Sequence, residues 1–233
     1  MPLLPDMAKR HVEPELMDSP SLAREPHETA LRGLARINTV SRSAVAIWSV
    51  LREHLAGPRR EPWRALDIAC GGGDVAAGLQ RLAARDGVTL TVDGCDVNET
   101  AIDLAGARWP ESMFFRLDAL AGPLPAGYDA IVSNLFLHHL TREDAIALLK
   151  SMSDASPAIV VNDLARGPLG YAAAVMGTRL LSRSPIVHVD GPRSVRAAFT
   201  VEEARALAVQ AGLERARVNP AFPWRWLLGW SRA

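Results

Sequence analysis

The sequence predicts an α/β protein with a doubly wound, mostly parallel sheet, and three observations support this fold class. From Trp63 onward, short apolar runs alternate with stretches of helical length. A glycine-rich turn directly follows the first apolar run, at Gly71 and Gly73. Apolar residues make up 48% of the 233 residues, which is enough to cover such a sheet with a full core.

The segment before the predicted sheet has two parts. Residues 1–21 are rich in proline and charge, which indicates an irregular start. Residues 22–57 place apolar side chains at three- and four-residue steps, the period of one helix face, and so predict a helical cap. Gly57 and Pro58 are expected to end it.

Five apolar runs predict the first five strands of a domain that extends over residues 63–233. The runs are 64–69, 89–95, 113–117, 128–133 and 158–161. The helical stretches between them are 74–84, 99–108 and 142–153. Because strands and helices alternate, the connections should be right-handed crossovers between parallel strands.

A long insert, residues 168–199, follows the fifth predicted strand, and we expect it to form a lid over the substrate. It carries an apolar stripe at helical spacing and then continues through two breaker sequences, Ser184-Pro185 and Asp190-Gly191-Pro192. The stripe consists of Leu169, Ala173, Met176 and Leu180.

The C-terminal part predicts a helix and two strands. Thr200 and Glu203 have the spacing of a capping box, so a helix should begin at residue 201 and continue to 211. Residues 213–230 predict two strands joined by a turn. Four apolar residues two apart should share one strand face, which we interpret as sheet packing, with self-association as the alternative. They are Trp224, Trp226, Leu228 and Trp230.

Composition excludes several classes of partner. The net charge is zero, so no basic field attracts nucleic acid. No run of about 18 apolar residues predicts a membrane span, and no signal peptide is visible. We therefore expect a cytoplasmic monomer or homodimer. Its two cysteines, Cys70 and Cys95, are expected to be reduced packing residues.

The glycine-rich turn predicts a nucleotide-like ligand. Glycines let a ligand approach the backbone closely, and the helix that follows points its first amides into the same crevice. Asp96 ends the second predicted strand 23 residues after Gly73, near the spacing of an acid that binds ribose hydroxyls. Gly71-x-Gly73-x-x-Ala76 also fits the dinucleotide fingerprint, so the turn alone does not choose a cofactor.

Three further features choose between these cofactors. Asp67 completes a D-x-A-x-G-x-G pattern, Asp118-Ala119 follows the third strand, and residues 128–140 form the fourth strand and its exit. In this order, over roughly residues 63–163, the motifs resemble the class I S-adenosylmethionine-dependent methyltransferases, including their quinone- and phenol-methylating branches. The insert is also similar to that of bacterial methyltransferases found with polyketide-type enzymes.

The resemblance implies a Rossmann-like sheet of seven strands, six parallel and one antiparallel, with S-adenosyl-L-methionine as cofactor. It also implies residues for the methionine part. Gly71 and Gly73 would pass beside it, with Asp67 supporting the loop and Asn134 lying beneath. Ala69 stands where the family usually has glycine, and we expect only mild crowding there.

For the nucleoside part, the resemblance implies four residues. Asp96 would hold the ribose and Val97 would pack on the adenine. Asp118 and the amide of Ala119 would read the adenine edge.

Methyl transfer is an in-line displacement, and a general base helps when the acceptor is a phenol or an activated carbon. Three residues are candidates. His139 leaves the fourth strand, His188 lies in the insert, and Asp163 ends the fifth strand, where it can orient a base or a substrate hydroxyl. Structural roles remain the alternative for all three. No metal is expected, because the histidines lack ligand spacing and no acid adjoins Asn134.

The acceptor pocket is expected to be apolar, built from the insert and the N-terminal helices. The residues expected there are Leu169, Tyr171, Met176, Leu180, Trp48 and Leu51. This favours a small lipophilic aromatic or polyketide-like acceptor, methylated at oxygen or, as an alternative, at carbon.

Two other functions remain open. A nicotinamide-dependent oxidoreductase of the short-chain type needs Tyr-x-x-x-Lys, but valine stands four residues after both Tyr128 and Tyr171. A non-catalytic module that retains the cofactor site is the second alternative.

Overall fold

In the computed structural model, residues 5–19, 21–55 and 62–232 are described, and they contain a mixed sheet of seven strands. The strands are β1 (Trp63–Ile68), β2 (Leu90–Asp96), β3 (Phe114–Arg116), β4 (Ala130–Asn134), β5 (Ala158–Leu164), β6 (Arg217–Ala221) and β7 (Arg225–Ser231). Their order is β3-β2-β1-β4-β5-β7-β6. Strand β7 is antiparallel to both of its neighbours, and the other six strands are parallel. The predicted fold class is confirmed.

Eight α-helices lie in the described parts of the chain. They are α1 (Arg24–Val40), α2 (Ser43–Leu55), α3 (Asp74–Arg85), α4 (Glu99–Arg108), α5 (Arg142–Ala155), α6 (Pro168–Leu181), α7 (Pro185–Ala197) and α8 (Val201–Gln210). Helix α8 begins with the predicted capping box of Thr200 and Glu203. The predicted end of the N-terminal cap at Gly57 and Pro58 lies outside the described residues. None of these helices is both long and apolar enough to cross a membrane.

The sheet has a core on each face, because side chains of successive strand residues point to opposite sides. On one face, Leu66 and Ile68 belong to a core that includes buried residues of α5 and α8. On the other, Ala65 packs with Trp48 and Leu51 of α2. Trp48 and Leu51 are therefore core residues, and their expected place in the acceptor pocket is wrong.

Helix α7 runs through the sequence in which breakers were expected. Pro192 lies inside it, and Gly191 lies beside Thr178 of α6, which occupies the space that a Cβ would need. The close packing of α6 against α7 thus favours a helix in spite of the low helix propensity of both residues.

The apolar stripe of α6 was expected to face the acceptor, but three of its four residues face solvent. Leu169, Met176 and Leu180 are 68%, 63% and 84% exposed. The side of α6 that faces the cavity carries smaller side chains, among them Ala173 and Gly177. The spacing predicted the helix correctly, whereas the buried face differs from the predicted one.

The N-terminal segment, residues 5–19, is fixed to the domain although it forms no helix longer than one 3₁₀ turn, Leu16–Asp18. The Nε of Arg10 donates to the carbonyl oxygen of Ala197 at 2.6 Å, and its guanidinium lies 3.6 Å from the ring centre of Phe199. The amide of Leu16 donates to Asp190 at 2.9 Å. These contacts hold the segment across the carboxyl ends of the strands.

The C-terminal hairpin of β6 and β7 completes the sheet. Trp226 and Leu228 are fully buried, and Trp230 packs partly buried against the same core. Trp224 lies outside the strand, with a φ of 48°, and is 48% exposed. Three of the four residues therefore share the predicted face.

Candidate functional site

A cavity of about 710 Å³ lies at the carboxyl ends of the parallel strands. Its wall comes from the turns after β1, β2, β3 and β4, from α1 and α6, and from the N-terminal segment. This volume is typical of small-molecule sites, and the position is the one where doubly wound sheets bind ligands.

Eight of the nine predicted cofactor residues line this cavity. They are Asp67, Ala69, Gly71, Asp96, Val97, Asp118, Ala119 and Asn134. Gly73 does not line it. A Cβ at Gly73 would lie 2.8 Å from the ring of Phe114, and its φ is +72°, so glycine is needed there for backbone conformation and packing. Gly72, which the sequence motif left unassigned, lines the cavity instead.

The carboxylate of Asp96 joins the end of β2 to the glycine-rich turn. One oxygen accepts the amide of Gly71 and the other accepts the amide of Asn98, both at 2.9 Å. Burial raises the pKa of Asp96, whereas these two hydrogen bonds lower it. Each oxygen keeps a lone pair that can accept a ligand hydroxyl.

Asp67 was expected to support the loop, but it makes no hydrogen bond to the described residues. Both of its carboxyl oxygens are buried and unpartnered, although the residue lines the cavity. Burial and the charges of Asp74 and Asp96 raise the pKa of Asp67 well above its usual value. A buried carboxyl without a partner fits a ligand that supplies a donor.

Ala69, the departure from the family pattern, has a φ of +53°. This is the left-handed region, in which a Cβ comes too close to the following carbonyl oxygen. The cost of alanine here is therefore conformational, rather than the mild crowding that we expected from the sequence.

Asn134 belongs to a chain of amides that crosses the floor of the site. Asn162 donates to its side-chain oxygen at 2.7 Å, and Asn134 donates in turn to Asn38 of α1 at 3.4 Å. Asn38 also donates to Asp74 at 3.1 Å. Sequence reasoning missed Asn38 and Asn162, because no motif marks either of them.

Asp163 does not reach the cavity, but instead pairs with His138. Its Oδ1 lies 2.7 Å from Nδ1 of His138, and its Oδ2 accepts the amide of the same residue at 3.2 Å. Burial lowers the pKa of His138, but the charge and hydrogen bond of Asp163, together with Glu15, raise it to about 10. Burial opposes ionisation of Asp163, yet the charge of His138 keeps its pKa below the usual value. His138 itself lines the cavity, so Asp163 orients a histidine of the site without lining the cavity itself.

His139 lines the cavity, and its Nδ1 lies 3.0 Å from a carboxylate oxygen of Asp18. Its ring centre lies 4.4 Å from that of His138. Its Nε2 lies 3.8 Å from the carboxylate of Glu15. Sequence reasoning missed Asp18 and Glu15, since both lie in the N-terminal segment, which carries no motif. They lie at the site only because this segment crosses the domain there.

Glu15 is the buried acid of this cluster. Burial would raise its pKa, but a hydrogen bond to His138 and the charges of His139 and His138 lower it to about 2. The ligand atoms of Glu15, His138 and His139 lie within 4.8 Å of one another, a spacing compatible with a metal ion. A metal ion there would have to displace the proton that the pair with Asp163 stabilises on His138.

His188, the third catalytic candidate, lies on α7 and does not line the cavity. Its Nε2 is 2.8 Å from the carbonyl oxygen of Ser182. This contact closes the turn between α6 and α7, so the structure gives His188 a structural partner rather than a place beside the ligand.

Comparisons with known proteins agree with this geometry. A family model described as a methyltransferase domain matches residues 65–156. The ubiquinone biosynthesis O-methyltransferase of Burkholderia cenocepacia is 27% identical over an alignment of 143 positions that covers 58% of this chain. The match spans 57% of the length of that curated relative.

Solved structures show the same fold. The plantazolicin methyltransferase BpumL in complex with SAH has a TM-score of 0.65 at 16% identity, covering 89% of this chain and 91% of that one. Human N-acetylserotonin methyltransferase in complex with SAM has a TM-score of 0.64 at 13% identity, covering 90% and 57%. A putative O-methyltransferase from Nostoc punctiforme has a TM-score of 0.64 at 15% identity, covering 96% and 64%. Residues 65–156 thus match a methyltransferase domain, and the described residues share the fold of these methyltransferase structures.

Proposed function

We propose that the chain transfers the methyl group of S-adenosyl-L-methionine to a small lipophilic acceptor, aromatic or polyketide-like, at oxygen or alternatively at carbon. The observation that carries this proposal is one cavity lined by the glycine-rich turn, Asp96, Asn134 and His139. Cofactor residues and a candidate base thus share one space, as a transfer between two ligands requires.

The cavity fits the cofactor by the chemistry of its donors and acceptors. Asp96 offers two carboxylate oxygens for ribose hydroxyls, and the unpartnered Asp67 offers an acceptor for a polar hydrogen. The Cβ-free backbone of Gly71 and Gly72 allows close approach beside them. When bound, the cofactor supplies an electrophilic methyl group on a sulfonium.

The acceptor part of the cavity is mostly apolar. Ala173, Gly177 and Leu181 of α6 line it, together with Leu34 of α1 and Met17 of the N-terminal segment. Such a wall favours a flat, lipophilic ring, since polar groups would lose water without gaining partners. The name of the Burkholderia relative, an O-methyltransferase of ubiquinone biosynthesis, supports oxygen as the methylated atom.

His139 is the proposed base. With Nδ1–H donating to Asp18, its Nε2 has a lone pair that can accept the proton of an acceptor hydroxyl. The nearby Glu15 stabilises the imidazolium that forms. Asp163 does not touch the reacting atoms, and it acts in this proposal by fixing His138 beneath the base.

Incubation with methyl-labelled S-adenosyl-L-methionine and a panel of acceptors tests the proposal. We expect transfer to phenols, hydroxyquinones or β-dicarbonyl compounds, but not to hydrophilic amines or RNA. Binding titrations with S-adenosylhomocysteine and NADH test the cofactor in parallel. Stabilisation by NADH alone would contradict the cofactor assignment, and binding without transfer to any panel member would favour a non-catalytic module.

A further inference from the structure

We propose that Arg225 forms a binding site for a carboxylate on a ligand held in the cavity. The inference rests on the proposed function, because it names a chemical group that the same cavity recognises. Two sources carry that group, namely the amino-acid end of the cofactor and an acid group on the acceptor.

Arg225 is placed at the ligand-binding edge by the antiparallel strand. It is the first residue of β7 and lies opposite Leu164, the last residue of β5. Its neighbour Trp226 packs into the core with α5 and α8, so the side chain of Arg225 points to the opposite face, toward α1 and α2. It lines the cavity and is only 3% exposed.

Two neutral hydroxyls hold the guanidinium in place. Its Nη1 donates to Ser43 at 2.5 Å and its Nη2 donates to Ser41 at 2.8 Å. Each serine hydroxyl donates its own proton elsewhere, to the carbonyl of Ile37 and to the side chain of Asn38. The guanidinium is thus oriented by groups that carry no charge.

No carboxylate among the described residues forms an ion pair with Arg225. Against the effect of burial, the charge of Asp163 raises the pKa of Arg225. However, both oxygens of Asp163 already accept hydrogen bonds, from His138 and from the amide of Leu164. Burial lowers the pKa of Arg225 to about 10, so the group is still a cation at neutral pH. A buried cation with no anionic partner is unusual in a protein interior.

A ligand carboxylate fits the remaining donors. An arginine has five N–H groups in a fixed fork, and two of those of Arg225 are used by the serines. The fork matches a planar carboxylate with two parallel hydrogen bonds.

Calorimetric titration of the full chain with matched ligands tests the site. The first pair is S-adenosylhomocysteine and its decarboxylated analogue, which keeps the amine. The second pair is 4-hydroxybenzoate and 4-hydroxybenzamide, each titrated with and without S-adenosylhomocysteine. Each titration is run on the wild type, on Arg225→Gln, on Arg225→Lys and on the control Arg179→Gln, which changes an exposed arginine of α6.

If the carboxylate is that of the cofactor, Arg225→Gln should weaken S-adenosylhomocysteine binding by roughly tenfold to hundredfold and leave the decarboxylated analogue unchanged. If it is that of the acceptor, the benzoate should show this loss and S-adenosylhomocysteine should not. The control should alter neither. Arg225→Lys, which keeps the charge but not the fork, should give an intermediate loss.

If the wild type binds both members of each pair with equal affinity, the inference is overturned. This comparison needs no variant, so it is decisive even if Arg225→Gln fails to fold. Equal losses for acid and neutral ligands in a folded variant would also overturn it. If S-adenosylhomocysteine does not bind at all, the proposed function fails, while the benzoate pair without cofactor still tests Arg225.

Discussion

The Nδ1 atom of His138 lies 2.7 Å from Oδ1 of Asp163, and both side chains are almost fully buried. The contact joins the turn after β4 to β5, directly behind the cavity wall formed by His139. Glu15 approaches the other ring nitrogen of His138 at 3.5 Å. The pair therefore links the N-terminal segment, the candidate base and the sheet in one buried cluster.

This pair predicts a pH dependence of stability. The folded-state pKa of His138, about 10, lies above its unfolded value of 6.5, so its contribution is complete below pH 6.5 and is lost as pH rises toward 10. We expect the free energy of unfolding of the wild type to fall more between pH 6.5 and 9.5 than that of His138→Gln, as measured by urea titration. Parallel curves would contradict the assignment.

Asp163 contributes in the opposite direction. The pKa of Asp163 in the folded state lies below its usual value of 3.8, so its contribution to stability is present above that pH and is lost as pH falls through the folded-state pKa. Asp163→Asn should cost about 3–5 kcal/mol at pH 6, because it leaves the buried His138 without its partner. Asp154→Asn is the matched control, since it breaks an exposed pair with Lys150 and should cost less than about 1 kcal/mol. Similar losses of stability from both variants would contradict the role of Asp163 as the buried partner of His138.

Asp96→Ala should weaken the binding of S-adenosylhomocysteine. The change removes the acceptors proposed for the ribose and also the bond that holds Gly71, so we expect a loss of roughly tenfold to hundredfold or more. Calorimetry measures the loss, with Asp103→Ala on the outer side of α4 as control. An unchanged affinity would remove Asp96 from the cofactor site.

His139→Ala should act on turnover rather than on cofactor affinity. Loss of a general base typically lowers kcat by about 10²–10⁴-fold. Asp18→Asn should lower kcat by a smaller factor, because it removes the group that orients the imidazole but leaves the imidazole itself. Steady-state kinetics and a binding titration separate the two effects. Equal effects of His139→Ala on kcat and on cofactor affinity would argue for a structural role.

Ala69→Gly should stabilise the protein. At a φ of +53°, glycine avoids a backbone strain of about 1–2 kcal/mol. The greater freedom of glycine in the unfolded chain offsets part of this gain, so we expect the free energy of unfolding to rise by roughly 0.5–1 kcal/mol. Gly73→Ala should destabilise, because its φ is also positive and Phe114 occupies the space of the new Cβ. Urea unfolding of both variants checks the signs, and a loss on Ala69→Gly would show that this strain is absent.

Local sequence predicted the first five strands, α8 with its capping box, and the glycine-rich turn, because each depends on residue spacing or on backbone freedom at named positions. It could not predict α7, where contact with Thr178 stabilises a helix that contains Gly191 and Pro192. Nor could it choose the buried face of α6, since apolar spacing predicts a helix but not which neighbour it meets.

The sequence by itself determined the fold class and the row of residues at the strand ends, since a parallel sheet brings the carboxyl ends of its strands to one edge. Only the tertiary structure decided that Asp163 pairs with His138, that Asp18 reaches His139, and that Arg225 is buried beside Ser41. These contacts join residues from 25 to 184 positions apart in the chain. No local pattern encodes a contact over such a separation in sequence, because the contact is set by the packing of whole elements.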